Sequence, residues 1–244
     1  MDNMSKMRIE YEDEHLIVVY KAAGVLSQGD KTGDPSITDY VRGYLEEKGA
    51  KAPYIGLIHR IDRPVAGLVI LAKSKRAADL MSRLLRNDRV RKRYLAVVFG
   101  LPTQEKGTLK HYILEKEENG HSIAFDEKKN GAKESILEYE VLGSAKMHDI
   151  KEFEEKFSLV SIRLITGRKH QIRAQFSAIG HPIVGDSKYF TQAEKIKEKM
   201  LKCNFLPWGE IALCSNYISF PHPLKNGNII EVQSPYPEHW VEIL

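Results

Sequence analysis

Residues 67–72, GLVILA, form a short apolar run with a corner on one side, Pro64 to Gly67, and Lys73-Ser74 on the other. A run this short and this uniformly apolar reads as a strand buried in a sheet. Other strand-like runs flank it along the chain. HLIVVYKAAGVL (15–26) reads as a strand followed by a turn at Gly24. KRYLAVVFG (92–100) alternates, with Tyr94, Ala96 and Val98 on one face and Leu95, Val97 and Phe99 on the other. SILEYEVLG and FSLVSIRLI read as strands joined by the charged connection SAKMHDIKEFEEK, and ALCSNYISFPHP and GNIIEVQSP as closing strands. The polar, glycine-spaced residues 103–135 predict surface hairpins.

Helices are fewer. In ITDYVRGYLEEKG (37–49), Ile37, Tyr40, Val41 and Leu45 recur near a period of 3.6, and Gly49 suits the C-terminus. Ser74 is placed to cap a second helix. There Ala77, Leu80, Met81, Leu84 and Leu85 form the apolar stripe, with Arg76, Arg83 and Arg86 away from its centre. KHQIRAQFSAIG (169–180) reads as a third, with Ile172, Phe176 and Ile179 on one face and Gly180 ending it. HPIVGD after it reads as a turn, and His181 and His222, each before a proline, read as turn residues. Strands joined mainly by hairpins with a few helices between them predict an α+β fold with a mixed, mainly antiparallel β-sheet.

The chain has 244 residues, enough for one large domain or two closely joined halves. No apolar run approaches the roughly 18 residues that a membrane-spanning helix needs. The opening MDNMSKMRIEYEDEH lacks the apolar core of a signal peptide. The two cysteines, Cys203 and Cys214, offer neither a disulfide framework nor a zinc motif, and fit a cytoplasmic location. No glycine-rich nucleotide loop follows a strand. HExxH and GxSxG motifs are absent from the sequence, and the nine histidines lack metal-ligand spacing. No metal and no cofactor is therefore expected.

The net charge of +4 is modest, but its distribution is not even. Lys73, Lys75, Arg76, Arg83, Arg86, Arg89, Arg91, Lys92 and Arg93 face only Asp79 and Asp88 between them. Arg163, Arg168, Lys169 and Arg173 form a second basic group, while acidic residues gather at 115–118 and 149–155. Charge sorted this way fits either a nucleic-acid-binding face or a solvated helix surface.

Two stretches carry candidate chemistry. In HRIDRPVAG (59–67), Asp62 stands between Arg60 and Arg63. Pro64 biases Arg63 toward an extended backbone, and Gly67 allows close backbone approach, so Asp62 sits at a fixed corner. A carboxylate kept charged in a cleft suits a nucleophile. Taken alone, the nonapeptide fits better an Asp–Arg pair that pins a turn. In TGRKHQIR (166–173), a Thr-Gly turn opens the third helix. Arg168 and Lys169 near its N-terminus suit a phosphate, and Arg173, one turn further in, is placed to meet a carboxylate from elsewhere in the chain. A capped helix bearing ordinary basic residues fits the same stretch.

HRIDRPVAGLVILAKS, RKRYLAVVFG, ITGRKHQIRAQFSAIGHPIVGD and ALCSNYISFPHP occur in this order, and together they resemble the RluA-type RNA pseudouridine synthases. IEYEDEHLIVVYKAAGVLSQ is similar to that family's opening strand and turn, so the resemblance runs from about residue 8 to the C-terminus. It implies a mixed, mainly antiparallel sheet in two halves with flanking helices and a central cleft. It implies a single catalytic domain over 1–244 without a separate N-terminal RNA-binding domain. The implied activity is isomerisation of uridine to pseudouridine in structured RNA, ribosomal or transfer, by a monomer without cofactor.

By that resemblance Asp62 is the nucleophile, and Arg60 enters the base stack when the target base leaves it. Tyr94 packs on the flipped uracil, Arg173 pairs with Asp62, and Leu213 lies beneath the base. Arg168, Lys169 and His170, at the head of the same helix motif, are assigned to substrate binding, and Arg63 to a phosphate or surface contact. The chain departs from the family pattern twice. KAAG at Lys21–Gly24 replaces KPAG, losing a rigid proline but no chemical group, and Ala66 replaces a small polar residue. A non-catalytic RNA-binding protein on the same scaffold is the competing reading. A glycosidic hydrolase is less apt, because it usually requires a second carboxylate beside Asp62.

Overall fold

The computed structural model describes residues 6–116, 120–146, 156–190, 206–207 and 209–242. The chain divides into two compact units: Met1–Lys92 with Cys214–Tyr236, and Arg93–Leu213 with Pro237–Leu244.

In the first unit, β1 (Met7–Glu12) and β2 (Leu16–Lys21) form an antiparallel hairpin, and β2 pairs antiparallel with β4 (Ala66–Ala72) from Leu16↔Ala72 to Lys21↔Gly67. This occupies one edge of β4. Its other edge is shared by β10 (Leu213–Pro221), parallel at Ala66↔Cys214 and Gly67↔Ser215, and the two-residue β3 (Gly56–Leu57), antiparallel at Leu71 and Ala72. β11 (Ile229–Gln233) extends the sheet beside β10. GLVILA is thus the inner strand its sequence predicts, buried at every position.

One face of this sheet, with Leu16, Val18, Leu68, Ile70, Ile218 and Phe220, packs against Ala77 and Met81 of α2 (Lys75–Arg86). Each such fully buried aliphatic side chain contributes roughly 1.5–3 kcal/mol. The Oγ of Ser74 accepts the Ala77 N–H at 3.2 Å, the predicted cap. Arg76, Arg83 and Arg86 of α2 point to solvent, as the amphipathic pattern requires. α1 (Ile37–Glu47) buries Ile37, Val41 and Leu45, and ends where Gly49 takes φ +92°.

The second unit is an antiparallel sheet in the order β5 (Arg91–Phe99), β9 (Lys156–Leu164), β8 (Lys133–Lys146), β6 (Lys106–Glu115) and β7 (Ser122–Phe125). The β6–β7 hairpin lies where the glycine-spaced residues predict one. A bulge between Val141 and Gly143 leaves Leu142 exposed. α3 (Gln171–Ala178) packs against β6 and β7. Most of the charged connection between β8 and β9 lies outside the described residues. The architecture is the α+β, mixed and mainly antiparallel sheet expected from the sequence.

His181 and His222 do occupy turns, with structural work of their own. His181 Nδ1 lies 2.7 Å from the Phe99 carbonyl. The buried His222 accepts two turn N–H groups on Nδ1 and meets Asp13 at 2.8 Å through Nε2, joining the two ends of the first unit. No described helix is long and apolar enough to cross a membrane.

Candidate active site

Asp62 sits at the corner that leads into β4, half-buried, with Arg60 exposed beside it. The corner is closed by the Val65 N–H donating to the Asp62 carbonyl at 3.0 Å. It is then clamped from the loop after β2. Ser27 Oγ donates to the Ile61 carbonyl at 2.6 Å and accepts the Ile61 N–H at 3.2 Å. The Gly24 N–H donates to the Arg63 carbonyl at 2.8 Å. Lys21, fully buried, donates Nζ to the carbonyls of Val25 at 2.8 Å, Ala22 at 3.1 Å and Arg63 at 3.3 Å. Burying an ammonium is costly unless its donors are used, and three carbonyls use them here.

Arg63 binds its own surroundings, donating Nε to the Gly24 carbonyl at 3.0 Å and pairing with Asp34 at 2.7 Å. It is the surface contact of its two expected roles. Gly67 carries φ +122°, and a Cβ there would lie 2.3 Å from the Ser215 carbonyl oxygen. The close backbone approach that the sequence predicts is the parallel join of β4 to β10.

His59 opens the same corner. Its Nε2 accepts the Ile70 N–H at 3.2 Å, which places the ring proton on Nδ1. Burial, with the charge of Lys92, pushes its pKa down to about 3. The unfolded imidazole titrates near 6.5. Between those values the unfolded chain binds a proton that the native ring refuses, so this group lowers stability as pH falls from 6.5. Urea denaturation at pH 7 and pH 5 should show a larger stability loss for wild type than for His59→Gln.

Tyr94 and Leu213, both buried, and Arg173 belong to the second unit. Tyr94 stands on β5 opposite Ile162 of β9. Arg173, on α3, is only 5% exposed, and the carboxylate it meets within this unit is that of Asp186. Its Nε donates to Asp186 Oδ2 at 2.7 Å and its Nη2 to Oδ1 at 2.9 Å, a fork on a side chain that is itself 1% exposed. The Arg173 guanidinium carbon also lies 4.9 Å from the centre of the Tyr189 ring. Such two-point pairing fixes the plane of the guanidinium as well as its position.

Breaking a buried pair from one side leaves an uncompensated charge, at roughly 3–5 kcal/mol. Asp186→Asn is therefore expected to lower the unfolding free energy by about that much, measured by chemical denaturation. Nothing in GHPIVGDSKY (180–189) singles out Asp186 or Tyr189. A turn peptide carries no local signal of the side chain it will meet.

The helix entry differs from expectation. α3 begins at Gln171, with Arg168 and Lys169 in the turn ahead of it. Gln171 Oε1 accepts the Arg168 N–H at 3.0 Å and the Thr166 hydroxyl at 2.9 Å, so the segment is held by its own glutamine. The exposed Arg168 donates Nε to the Glu134 carbonyl, and Lys169 pairs with Glu115. His170 takes the left-handed conformation at φ +51° and turns Nδ1 to the Tyr189 hydroxyl at 2.7 Å. Within this unit Arg173 and His170 are thus brought to one residue, Tyr189, while Arg168 and Lys169 are engaged elsewhere. Among the described residues no group of three or more His, Cys, Asp or Glu side chains could hold a metal ion.

Comparison with known proteins decides the family. The family model described as RNA pseudouridylate synthase matches residues 15–178, well over half the chain. The chain belongs to the RluA-type RNA pseudouridine synthases, a family of isomerases. This pseudouridine synthase is 30% identical over 243 residues to the uncharacterized RNA pseudouridine synthase YlyB of Bacillus subtilis, covering 97% of this chain and 71% of the relative. It is 30% identical over 228 residues to the ribosomal large subunit pseudouridine synthase C of Buchnera aphidicola, covering 93% and 67%. Its fold is that of the human RNA pseudouridylate synthase domain containing 4 protein, with a TM-score of 0.75 at 24% identity over 96% of this chain and 90% of that one.

Proposed function

We propose that this pseudouridine synthase converts specific uridines of structured RNA, ribosomal or transfer, to pseudouridine by base flipping, with Asp62 as nucleophile. The observation that carries the assignment is the clamped corner. Ser27, Lys21 and the Val65 N–H hold the backbone on both sides of Asp62, so its carboxylate is presented from a fixed point. Preorganisation of that kind is what nucleophilic attack on a positioned sugar or base requires.

The reaction is an isomerisation. The N1–C1′ bond breaks, C5 bonds to C1′, C5 loses its proton and N1 gains one. Nothing is oxidised or reduced, so the chemistry asks for no redox cofactor. The base turns only after leaving its stack, at a cost of a few kcal/mol. Arg60, exposed beside Asp62, offsets part of that by filling the gap with a flat cation. Tyr94 stacks on the uracil, an interaction of roughly 1–3 kcal/mol, with Leu213 beneath it. Arg173 orients the Asp62 carboxylate. The exposed Arg76, Arg83, Arg86, Arg89 and Arg91 hold the RNA backbone by phosphate contacts, joined by Arg168 and Lys169. The enzyme acts in the cytoplasm as a monomer.

The test uses purified protein and bulk RNA carrying 5-tritiated uridine, prepared from cells that lack it. Tritium released to water reports loss of the C5 proton. Release by the wild-type protein supports the reading. RNA binding without release would make the protein a binder on the same scaffold.

A further inference from the structure

We propose that Tyr189 and His170 are positioning residues for Arg173, which they hold by its face while Asp186 holds it by its edge. The proposal rests on the role given above to Arg173. The guanidinium lies over the buried Tyr189 ring at 4.9 Å, a separation at which the ring quadrupole attracts a cation. The ring is fixed in turn through its hydroxyl. Tyr189 Oη accepts the Ser122 N–H at 2.8 Å and lies 2.7 Å from His170 Nδ1. The hydroxyl keeps a proton and a second lone pair for Nδ1, so the contact forms with either imidazole tautomer. The two rings stand nearly perpendicular, at 87°. Burial raises the Tyr189 pKa, which keeps that proton in place.

Three further features converge on the same ring. Ser177 Oγ donates to the Tyr189 carbonyl at 2.5 Å, so α3 holds the backbone of the residue that supports its own Arg173. Ser122 Oγ donates to the Lys169 carbonyl at 2.8 Å, which ties β7 to the turn carrying His170. His170 adopts φ +51° at the head of α3, a conformation that costs a side-chain-bearing residue of order 1–3 kcal/mol. Contacts around it must hold it there, and its ring rests against Tyr189. Asp186 holds the guanidinium along one edge, and the Tyr189 ring adds a contact to its face.

The variants separate positioning from folding. Tyr189→Phe keeps the ring and loses the hydroxyl, Tyr189→Leu loses both, and His170→Asn keeps an acceptor on a residue that tolerates left-handed backbone. Turnover is read as tritium release from the 5-tritiated RNA, and binding by filter retention of the same RNA. Tyr189→Phe is expected to lower kcat about tenfold, the scale of hydrogen bonds lost without replacement, and Tyr189→Leu about a hundredfold. His170→Asn, which withdraws the imidazole from the Tyr189 hydroxyl, should lower kcat about threefold, and the tyrosine variants should bind RNA within about twofold of wild type. The Arg173 Nε–H resonance, identified by its loss in Arg173→Lys, should broaden in Tyr189→Leu. Unchanged kcat in both tyrosine variants, whatever their melting temperature, would overturn the proposal. So would a loss confined to KM, or an unchanged Arg173 signal in Tyr189→Leu. A wild-type protein that releases no tritium would refute the assigned reaction instead, and the resonance would then decide the positioning by itself.

Discussion

Gly67→Ala is expected to be the most destabilising single-methyl change in the first unit. The added Cβ would sit 2.3 Å from the Ser215 carbonyl oxygen and 2.5 Å from the Ser215 nitrogen, both backbone atoms of the parallel partner strand. Neither atom can rotate away, and φ +122° is itself hostile to alanine. The strands must separate, which breaks the join between β4 and β10 at its two paired positions. A loss of roughly 4 kcal/mol or more is expected, on the order of 10 °C in Tm for a chain of this size. Gly43→Ala is the control. It lies inside α1 with nothing within 4 Å of a new Cβ, and should gain up to about 1 kcal/mol. Thermal melts of the two variants beside wild type check both signs.

Asp62→Asn should have the largest effect on activity. The change is isosteric, and the contacts that hold the corner are made by Ser27, Lys21, Gly24 and the Val65 N–H to backbone atoms, all of which survive it. Stability is therefore expected within about 1 kcal/mol of wild type. An amide, however, is a poor nucleophile. Loss of an attacking group typically costs three orders of magnitude or more, so turnover should fall roughly a thousandfold at least. RNA affinity, set mainly by phosphate contacts, should change less than about twofold. Single-turnover kinetics and filter binding on one RNA preparation separate the two effects.

What could be read from the sequence was local or repeated. GLVILA is a buried strand because every position is apolar. Ser74 caps α2 because a serine at that point has an orphan N–H to accept. The α2 arginines face water because their spacing opposes the apolar stripe. Gly67 announces a close approach without naming its partner, which is Ser215, far along the chain on β10. The clamp at Asp62 was only half visible. Pro64 and Gly67 mark the corner, but nothing in KAAG shows that the fold buries Lys21 against three carbonyls.

Arg173 shows the same boundary. A basic residue one turn into a helix is placed to meet a carboxylate but does not say which, and within its own unit Arg173 meets Asp186, from a turn whose sequence gives no sign of the role. Helix α3 starts at Gln171, two residues later than KHQIRAQFSAIG predicts, for a related reason. TGRKH looks like a helix entry, but His170 takes a left-handed backbone to reach Tyr189, and no helix forms through such a residue.

The central claim, that this chain isomerises uridine in RNA through Asp62, is tested most directly by mapping pseudouridines in the RNA of cells lacking the protein and restored with either wild type or Asp62→Asn. The account predicts one or more uridines that are pseudouridine only when the wild-type chain is present, and that remain uridine with Asp62→Asn at equal protein level. Identical maps in all three strains, or full modification by Asp62→Asn, would contradict it.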